Sequence, residues 1–197
     1  MGIKTRLFII SDTHGGVFNV NDAQRADVVI HCGDLTKESK IDEYRNTLDL
    51  LRRVPTPLKL IISGNHDLTL DEPTFRKQLS KTTQPIEPGL VKSKFEDYGE
   101  PRRLFDEVRE AGIVLLDERN YEFALQDGAL LRNFAIADST HVAITHGPPH
   151  GVMDYMDAKQ RVGCSHLFGA IAPAKPLLHC FGHVHEGWGL LTDLVQN

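Results

Sequence analysis

Residues 58–67 of the chain, LKLIISGNHD, join a short apolar run directly to polar residues of the kinds that bind metal ions. The run from Leu58 to Ile62 is nearly continuous, whereas a strand with one solvated face would alternate apolar and polar side chains. It therefore predicts a strand buried on both faces, as in the parallel sheet of an α/β protein. A Gly-Asn-His-Asp cluster follows at residues 64–67, where the strand would end.

The same arrangement recurs at four other places in the chain. Further apolar runs lie at Leu7–Ile10, Val28–Ile30, Val142–Ile144 and Leu177–Phe181. Each is followed by candidate metal-binding residues, in order Asp12 with His14, then Asp34, then His146, then His183 with His185. In open α/β sheets, ligands bind beyond the carboxyl ends of the strands. If all five runs lie in one sheet, the five polar clusters converge on a single crevice.

The segments between these runs predict helices and loops. Segments 39–53, 102–111 and 164–171 are predicted to be helices, bounded by Pro55, Gly112 and Pro173 respectively. Residues 82–101 contain several prolines and glycines and are predicted to be a long loop. Tyr121–Leu125 and Ala129–Phe134 are predicted to form a hairpin. Strands that alternate with helices indicate an α/β core.

Length and composition indicate one soluble domain over residues 1–197, with 41% hydrophobic and 25% charged residues. The formal net charge of −5 does not favour binding along a nucleic-acid backbone. Three widely spaced cysteines argue against a disulfide scaffold and favour a reducing compartment. With neither a signal peptide nor a membrane-spanning run, we expect a cytoplasmic protein.

The residue types in the polar clusters point to a particular class of metal. Aspartate, histidine and asparagine supply oxygen and nitrogen ligands that suit Mn²⁺, Fe or Zn²⁺ better than a Ca²⁺ site. A single carboxylate such as Asp34 can bridge two ions by giving one oxygen to each. Two ions about 3.5–4 Å apart can bind both the attacking and the leaving oxygens of a phosphoryl transfer, and they lower the pKa of a bound water.

The ordered set of motifs resembles the calcineurin-like metallophosphoesterase superfamily. The motifs are Asp12-x-His14, Gly33-Asp34, Gly64-Asn65-His66-Asp67, Thr145-His146-Gly147 and Gly182-His183-x-His185. A closer resemblance is to the subgroup of metallophosphoesterase-domain proteins that includes brain-expressed animal cyclic-nucleotide phosphodiesterases. That resemblance rests on HCGD at residues 31–34, HGPP at 146–149, RVGC at 161–164 and HVHEGWG at 183–189.

The resemblance implies a four-layer αββα sandwich, in which two mixed sheets pack face to face with helices outside. This sequence departs from the family in two places. Only Asn133–Thr140 stands where relatives carry a longer insert, and few residues follow the Gly-His-x-His motif. Both departures leave open whether the second sheet is complete. An incomplete sheet predicts either marginal stability or a partner over its exposed face.

The resemblance also implies residue roles. One divalent ion would be bound by Asp12, His14, Asp34 and His185, and the other by Asp34, Asn65, His146 and His183, with Mn²⁺ favoured over Fe or Zn²⁺. His66 would act as a catalytic acid or stabilise charge on the leaving group, and Asp67 would orient His66. Asn65 and His66 would also contact the substrate. For Asp67, a helix N-cap is an equally good interpretation.

Within the superfamily, the sequence favours a phosphodiesterase that acts on a nucleotide or another small phosphodiester. A Ser/Thr protein phosphatase would carry an Arg-Gly pair soon after Gly33-Asp34, whereas Leu35-Thr36-Lys37 follow here. We expect neither a membrane nor a long nucleic acid as partner, and a homo-oligomer is left open. The alternative is a nucleotide-binding or scaffold protein of low activity on the same fold.

Some residues that could bind ligands have a simpler interpretation. His31 precedes the Cys-Gly-Asp turn, and we expect it to be structural. His179 lies inside an apolar run, and we expect it to be either a core residue or one that supports the metal ligands without binding the metal. Trp188 could stack on a base, but packing at the rim of the site is at least as good an interpretation.

Overall fold

The computed structural model describes residues 4–19, 25–82, 87–117, 121–124, 130–133 and 140–190. Two four-stranded sheets form its centre. The strands are β1 (Leu7–Ile10), β2 (Val28–His31), β3 (Leu58–Ile61), β4 (Ile113–Leu115), β5 (Tyr121–Ala124), β6 (Leu130–Asn133), β7 (Val142–Ile144) and β8 (Leu178–Cys180). The first sheet has the order β1-β2-β3-β4 and the second has the order β5-β6-β7-β8.

The two sheets differ in strand direction. All pairs in the first sheet are parallel, with Ile10 opposite His31 and His31 opposite Ile61. In the second sheet β5 and β6 are antiparallel, whereas β6-β7 and β7-β8 are parallel. The predicted pairing of the two hairpin strands is confirmed, although the residues of the turn lie outside the described part of the chain.

Five α-helices lie between the strands in the described residues. They are α1 (Ile41–Arg53), α2 (Glu72–Ser80), α3 (Pro88–Phe95), α4 (Glu100–Glu107) and α5 (Ser165–Ala174). At the start of helix α1, the Glu43 carboxylate accepts a hydrogen bond from the Lys40 amide. The chain then leaves the helix at Val54, just before Pro55, as predicted.

The main core lies between the two sheets. Val28, Ile30 and Leu60 of the first sheet are fully buried in one cluster with Val142 and Cys180 of the second. Each fully buried side chain of this size contributes about 1.5–3 kcal/mol. A second cluster covers the outer face of the first sheet, where Tyr44, Leu48 and Leu51 of α1 pack with Phe105 of α4 and Ile61 of β3. The α/β architecture with two face-to-face sheets is therefore confirmed.

The five apolar runs do not all lie in one sheet, which corrects the expectation of a single sheet. Strands β1, β2 and β3 belong to the first sheet, whereas β7 and β8 belong to the second. The first sheet is also wholly parallel rather than mixed within the described residues. A continuous apolar run indicates burial on both faces but not which strand lies beside it, so the sequence could not separate the two sheets.

One loop prediction and the end of one predicted helix are also corrected. Segment 82–101 is not one long loop, because α3 begins at Pro88 and α4 begins at Glu100. Proline suits the first position of a helix, where its missing N–H has no partner to lose. Helix α5 extends through Pro173 to Ala174, beyond its predicted end. Among the described residues, no helix combines the length and the apolar character that crossing a membrane requires.

Candidate metal centre

The polar clusters that follow the strands meet at one edge of the packed sheets. The loop after β1 is bonded to the loop after β2, since the Asp12 amide donates to the Gly33 carbonyl and the His14 amide to the Asp34 carbonyl. The loop after β8 joins them, since the His183 amide lies 2.9 Å from Oδ2 of Asp12. Residues from both sheets therefore contribute to one site, as expected for the carboxyl ends of parallel strands.

The backbone of this site is unusual. Asp12, His14, Asp34 and His183 all have positive φ angles, of 53°, 48°, 56° and 73°. Such a conformation costs a residue other than glycine on the order of 1–3 kcal/mol, and it persists where the surrounding structure enforces it. Four predicted ligands thus share a strained backbone, which is typical of functional sites.

Asp34 lies at the centre of the site and is only 2% exposed. Its Oδ1 accepts a hydrogen bond of 2.8 Å from the His66 amide. Its Oδ2 lies 3.3 Å from Nε2 of His146 and 3.9 Å from Nε2 of His14. Burial raises the pKa of the Asp34 carboxyl, but the hydrogen bonds from His146 and the His66 amide outweigh burial and hold that pKa below its ordinary value. The group is therefore ionised and faces ligands on two sides.

A first group of candidate ligands consists of Asp12, His14 and His185, whose ligand atoms all lie within 4.8 Å of one another. Oδ1 of Asp12 is 3.4 Å from Nε2 of His185. Nδ1 of His14 hydrogen-bonds the Thr36 carbonyl, which fixes the ring and leaves Nε2 free to bind an ion. These residues match the first predicted ion site, with Asp34 on the neighbouring side of His14.

A second group consists of Asp34, His146 and His183, again with ligand atoms within 4.8 Å of one another. Nδ1 of His146 donates to the Cys32 carbonyl, and its Nε2 lies 2.9 Å from Oδ1 of Asn65. Burial lowers the pKa of His146, but its hydrogen bonds to Asp34 and Cys32 outweigh burial and raise that pKa. Burial and the nearby His146 together lower the pKa of His183.

His66 lies beside both groups. Its Nδ1 is 2.7 Å from the Lys37 carbonyl, so the ring is oriented by the backbone of a neighbouring loop. Its ring packs edge-on against that of His14, with 4.7 Å between the centroids. The ligand atoms of His14, Asp34 and His66 also lie within 4.8 Å of one another. The geometry therefore allows His66 to be either an acid beside the ions or a further ligand.

The side chain of Asp67 bonds to residues other than His66, which it was expected to orient. Its carboxylate is 1% exposed and accepts hydrogen bonds from the amides of Leu35, Thr36 and Gly64, and from the Thr36 hydroxyl. Among these bonds there is none to the imidazole of His66, which Lys37 orients instead. Asp67 precedes a short 3-10 helix at Leu68–Leu70 but makes no side-chain cap there. It joins the Gly33-Asp34 loop to the Gly64-Asn65-His66 loop.

Two glycines permit the close approach of these loops. A Cβ atom on Gly64 would collide with the carboxylate and the amide of Asp34. A Cβ atom on Gly182 would collide with the side chains of Ser11 and Asp12. The glycines of the Gly-Asn-His-Asp and Gly-His-x-His motifs thus bring the backbone of one loop against the ligands of another.

The threonines that support these ligands were not predicted from the sequence. Thr36 lies 2.8 Å from Asp67 and 2.9 Å from the His66 carbonyl through its hydroxyl oxygen. Thr13 hydrogen-bonds His31, and Thr145 hydrogen-bonds His179. Neither histidine was expected to be a metal ligand. The only signal in the sequence is that each threonine stands next to a ligand or follows one closely, and this signal is weak by itself.

The donor set fits a pair of divalent cations. Each group combines one carboxylate with two imidazoles, and Asn65 adds an amide oxygen beside the second group. Oxygen and imidazole ligands of this kind suit Mn²⁺, Fe and Zn²⁺. The rings of His14 and His146 each have one nitrogen fixed by a backbone carbonyl, which is the usual arrangement of a metal-binding histidine.

Comparison with known proteins identifies the family of this chain. Metallophosphoesterase domain-containing protein 1 of Homo sapiens is 33% identical over 207 residues, which cover 96% of this chain and 63% of the human protein. A UPF0046 protein of Caenorhabditis elegans is 31% identical over 212 residues, which cover 95% of this chain and 53% of the worm protein. The chain therefore spans between half and two thirds of the length of these relatives. A family model described as calcineurin-like phosphoesterase matches residues 5–187, and the chain belongs to that family.

Proposed function

We propose that this chain is a metal-dependent hydrolase of a small phosphodiester, of the nucleotide type, which uses two divalent cations. The observation that carries the proposal is the position of Asp34. One of its oxygens faces His146 and also lies near His14, so a single carboxylate stands between the two groups of candidate ligands. A carboxylate in this position could bind both ions of an adjacent pair, as a two-metal phosphoryl-transfer site can use.

Seven residues would bind the two ions. Asp12, His14, Asp34 and His185 would bind one ion, and Asp34, Asn65, His146 and His183 would bind the other, with Mn²⁺ as the favoured metal. When bound, a pair of such ions neutralises charge on phosphate oxygens and lowers the pKa of water at the site. The chain itself has a formal charge of −5, so the attraction for an anionic substrate would come from this site rather than from the whole surface.

His66 would supply the proton for the leaving group, and Asn65 beside it would contact the substrate. The Lys37 carbonyl occupies Nδ1 of His66, which leaves Nε2 as the nitrogen that can exchange a proton. The ring is exposed at the mouth of the site and can reach a bound ester. Asp67 would act indirectly, because it bonds the loop that carries Asp34 to the loop that carries His66.

A diester is favoured over a monoester by the openness of the site. Asn65, His66, His183 and His185 are all exposed, and the side chain of His185 is 60% exposed. An open rim leaves space for a second ester group on the phosphorus.

The compartment that we propose is the cytoplasm, because Cys32, Cys164 and Cys180 are all free thiols, which suits a reducing environment.

The direct test is Mn²⁺-dependent hydrolysis of bis-p-nitrophenyl phosphate, with p-nitrophenyl phosphate as the monoester comparison. We expect the diester to be the better substrate, and Asp34→Asn to reduce turnover by at least about 100-fold, since it removes the charge shared by both ions. Asp157→Asn changes an exposed aspartate outside the site and is the matched control. Tight nucleotide binding with equal, near-zero turnover in wild type and Asp34→Asn would instead identify a binding module.

A further inference from the structure

Each sheet has a threonine–histidine pair that joins a ligand-bearing loop to the neighbouring strand. Thr13 Oγ1 lies 2.9 Å from Nε2 of His31, and Thr145 Oγ1 lies 2.9 Å from Nε2 of His179. In each pair the threonine directly follows or precedes a candidate metal ligand. In each pair the histidine lies on the adjacent parallel strand, His31 on β2 beside β1 and His179 on β8 beside β7.

His31 does not resemble an ordinary core residue. Its side chain has no exposed surface, and within the described residues its Nδ1 has no hydrogen-bond partner. An imidazole with one unpaired ring nitrogen is a poor way to fill an apolar core, because the unpaired nitrogen loses its contact with water. The bond from Nε2 to Thr13 is therefore the polar interaction that the ring provides at this position.

The second pair defines its own hydrogen-bond direction. The Thr145 hydroxyl donates to the Gly147 carbonyl at 2.8 Å, so its only hydrogen is already used. Nε2 of His179 must then carry the hydrogen and donate it to Thr145. Burial lowers the pKa of His179 to about 4, so the ring is neutral near pH 7 and Nε2–H is the tautomer present. Through this bond the turn around His146 is fastened to β8.

The loop that carries Asp12 and His14 has a strained backbone that must be held in place by its surroundings. Thr13 stands between Asp12 and His14, and both of those residues have positive φ angles. A turn that contains two strained ligands with one residue between them returns to a less strained backbone conformation unless the surrounding structure holds it in place. The hydrogen bond between Thr13 and the buried His31 fixes the residue in the middle of this turn, and the backbone bonds to Gly33 and Asp34 fix its two sides.

We infer that His31 and His179 are positioning residues for the metal centre, each acting through a threonine hydroxyl on the loop that presents the ligands of one ion. His31 positions Asp12 and His14 through Thr13, and His179 positions His146 through Thr145. This inference rests on the proposed function, because it assumes that the two ligand groups bind two cations. Neither histidine touches the ions or the substrate, so neither is a catalytic residue.

The test is Mn²⁺ binding to the metal-free protein, measured by equilibrium dialysis and by titration calorimetry. We expect wild type to bind two ions. Thr13→Val, which removes the hydroxyl and keeps the volume, is expected to weaken one of them by about tenfold or more, as the loss of an outer supporting bond does at other metal sites. Thr145→Val is expected to weaken the other ion, so that the double variant weakens both.

Two sets of controls separate positioning from general damage. Thr13→Ser and Thr145→Ser keep the hydroxyl and are expected to retain both affinities. Thr69→Val also removes a buried hydroxyl, one bonded to Ser39, and is expected to lower the melting temperature without changing Mn²⁺ affinity. If Thr13→Val does not fold, Thr13→Ala removes the same hydroxyl without adding a methyl group near His31 and serves the same comparison.

The outcomes distinguish this inference from the proposed function. Wild-type affinity for both ions in the two valine variants would overturn the positioning role and leave the proposed function intact. Equal weakening in the valine and serine variants would also overturn it, because the hydroxyl would then not matter. A wild-type protein that binds fewer than two Mn²⁺ ions would overturn the proposed function, and the inference with it.

Discussion

Oδ2 of Asp34 lies 3.3 Å from Nε2 of His146, although the two residues follow strands of different sheets. The Asp34 loop leaves β2 of the first sheet, and His146 follows β7 of the second. The distance between them is therefore set by how the two sheets pack, through the buried cluster that contains Val28, Ile30 and Val142. Close-packed interiors resist small displacements, so the core fixes the spacing of the two candidate ion positions.

Replacement of His66 by alanine tests whether this residue is an acid or a ligand. We expect kcat to fall by roughly 10²–10⁴, the usual contribution of a general acid, with two Mn²⁺ ions still bound. The ions should remain because His66 contacts Asp34 through its backbone amide, which the substitution keeps. Metal content is measured by elemental analysis beside the kinetics. His166→Ala, an exposed histidine on α5, is the control. Loss of one ion from His66→Ala would make it a ligand.

Gly64 is expected to be essential for the position of Asp34. A Cβ atom at this position meets the carboxylate and the amide of Asp34, both of which belong to a buried loop that cannot yield easily. Gly64→Ala should therefore weaken Mn²⁺ binding by about tenfold or more. Gly147→Ala is the matched control, because Gly147 is next to His146 but a Cβ atom there meets nothing within 4 Å. Equal Mn²⁺ affinity in the two variants, measured by calorimetry, would contradict this explanation.

The sequence predicted the central strands and brought the ligand types together, but it could not predict the helices that lack a buried face. Helix α3 has no buried residue, and α2 has only Phe75. Without apolar residues at helical spacing, the Pro88-Gly89 start of α3 indicates a turn as readily as a helix. By contrast, α1 buries six residues and was predicted correctly. Helix α5 was also predicted, although it buries only Ala174. Hydrophobic periodicity is therefore the strongest signal for helices that pack on the core, but not the only one.

The supporting contacts of the site could not be predicted for a different reason. Asp67 bonds Leu35 and Thr36, which lie far from it in sequence and approach it only when β2 and β3 pair. The expectation that Asp67 orients His66 came from the family resemblance, which does not specify the hydrogen-bond partners of Asp67 in this chain. Ligand types can be predicted from local motifs, whereas the hydrogen bonds that orient them depend on tertiary structure.

The metal-free protein should become less stable as the pH is lowered, because of His31. Burial lowers the pKa of His31 to about 4, from an unfolded value of 6.5. Between these two values the unfolded chain binds a proton that the folded chain does not. The contribution of His31 is therefore fully present above pH 6.5 and is lost as the pH falls towards 4, with an upper limit of about 3 kcal/mol.

Urea unfolding in EDTA measures this effect at about pH 7 and about pH 4.5. His31→Gln is the comparison, since its amide nitrogen can still donate to Thr13 but does not titrate. We expect the free energy of unfolding of wild type to fall by about 2–3 kcal/mol more than that of His31→Gln over this range. Parallel losses in the two proteins would show that another group is responsible.

The loop between β7 and α5 should depend on one buried carboxylate. Asp154 has no exposed surface, and it accepts hydrogen bonds from the Gly151 amide at 2.8 Å, the Gly163 amide at 3.2 Å and the Arg161 guanidinium at 2.6 Å. The loop packs against the segment after His185, where the Met153 carbonyl would collide with a Cβ atom on Gly187. Asp154→Ala removes these three hydrogen bonds but leaves the exposed Arg161 guanidinium within reach of water, and it should cost about 1–3 kcal/mol.

Since this loop begins directly after His146 and packs beside the His185 segment, its release should affect substrate binding more than chemistry. For Asp154→Ala we expect KM for the diester to rise by roughly fivefold or more while kcat changes little, the pattern of lost uniform binding. Trypsin should also cleave faster at Lys159 and Arg161, because local opening exposes the loop. Asp157→Ala, an exposed aspartate of the same loop, is the control. Unchanged KM and unchanged cleavage in Asp154→Ala would show that the loop holds its position without Asp154.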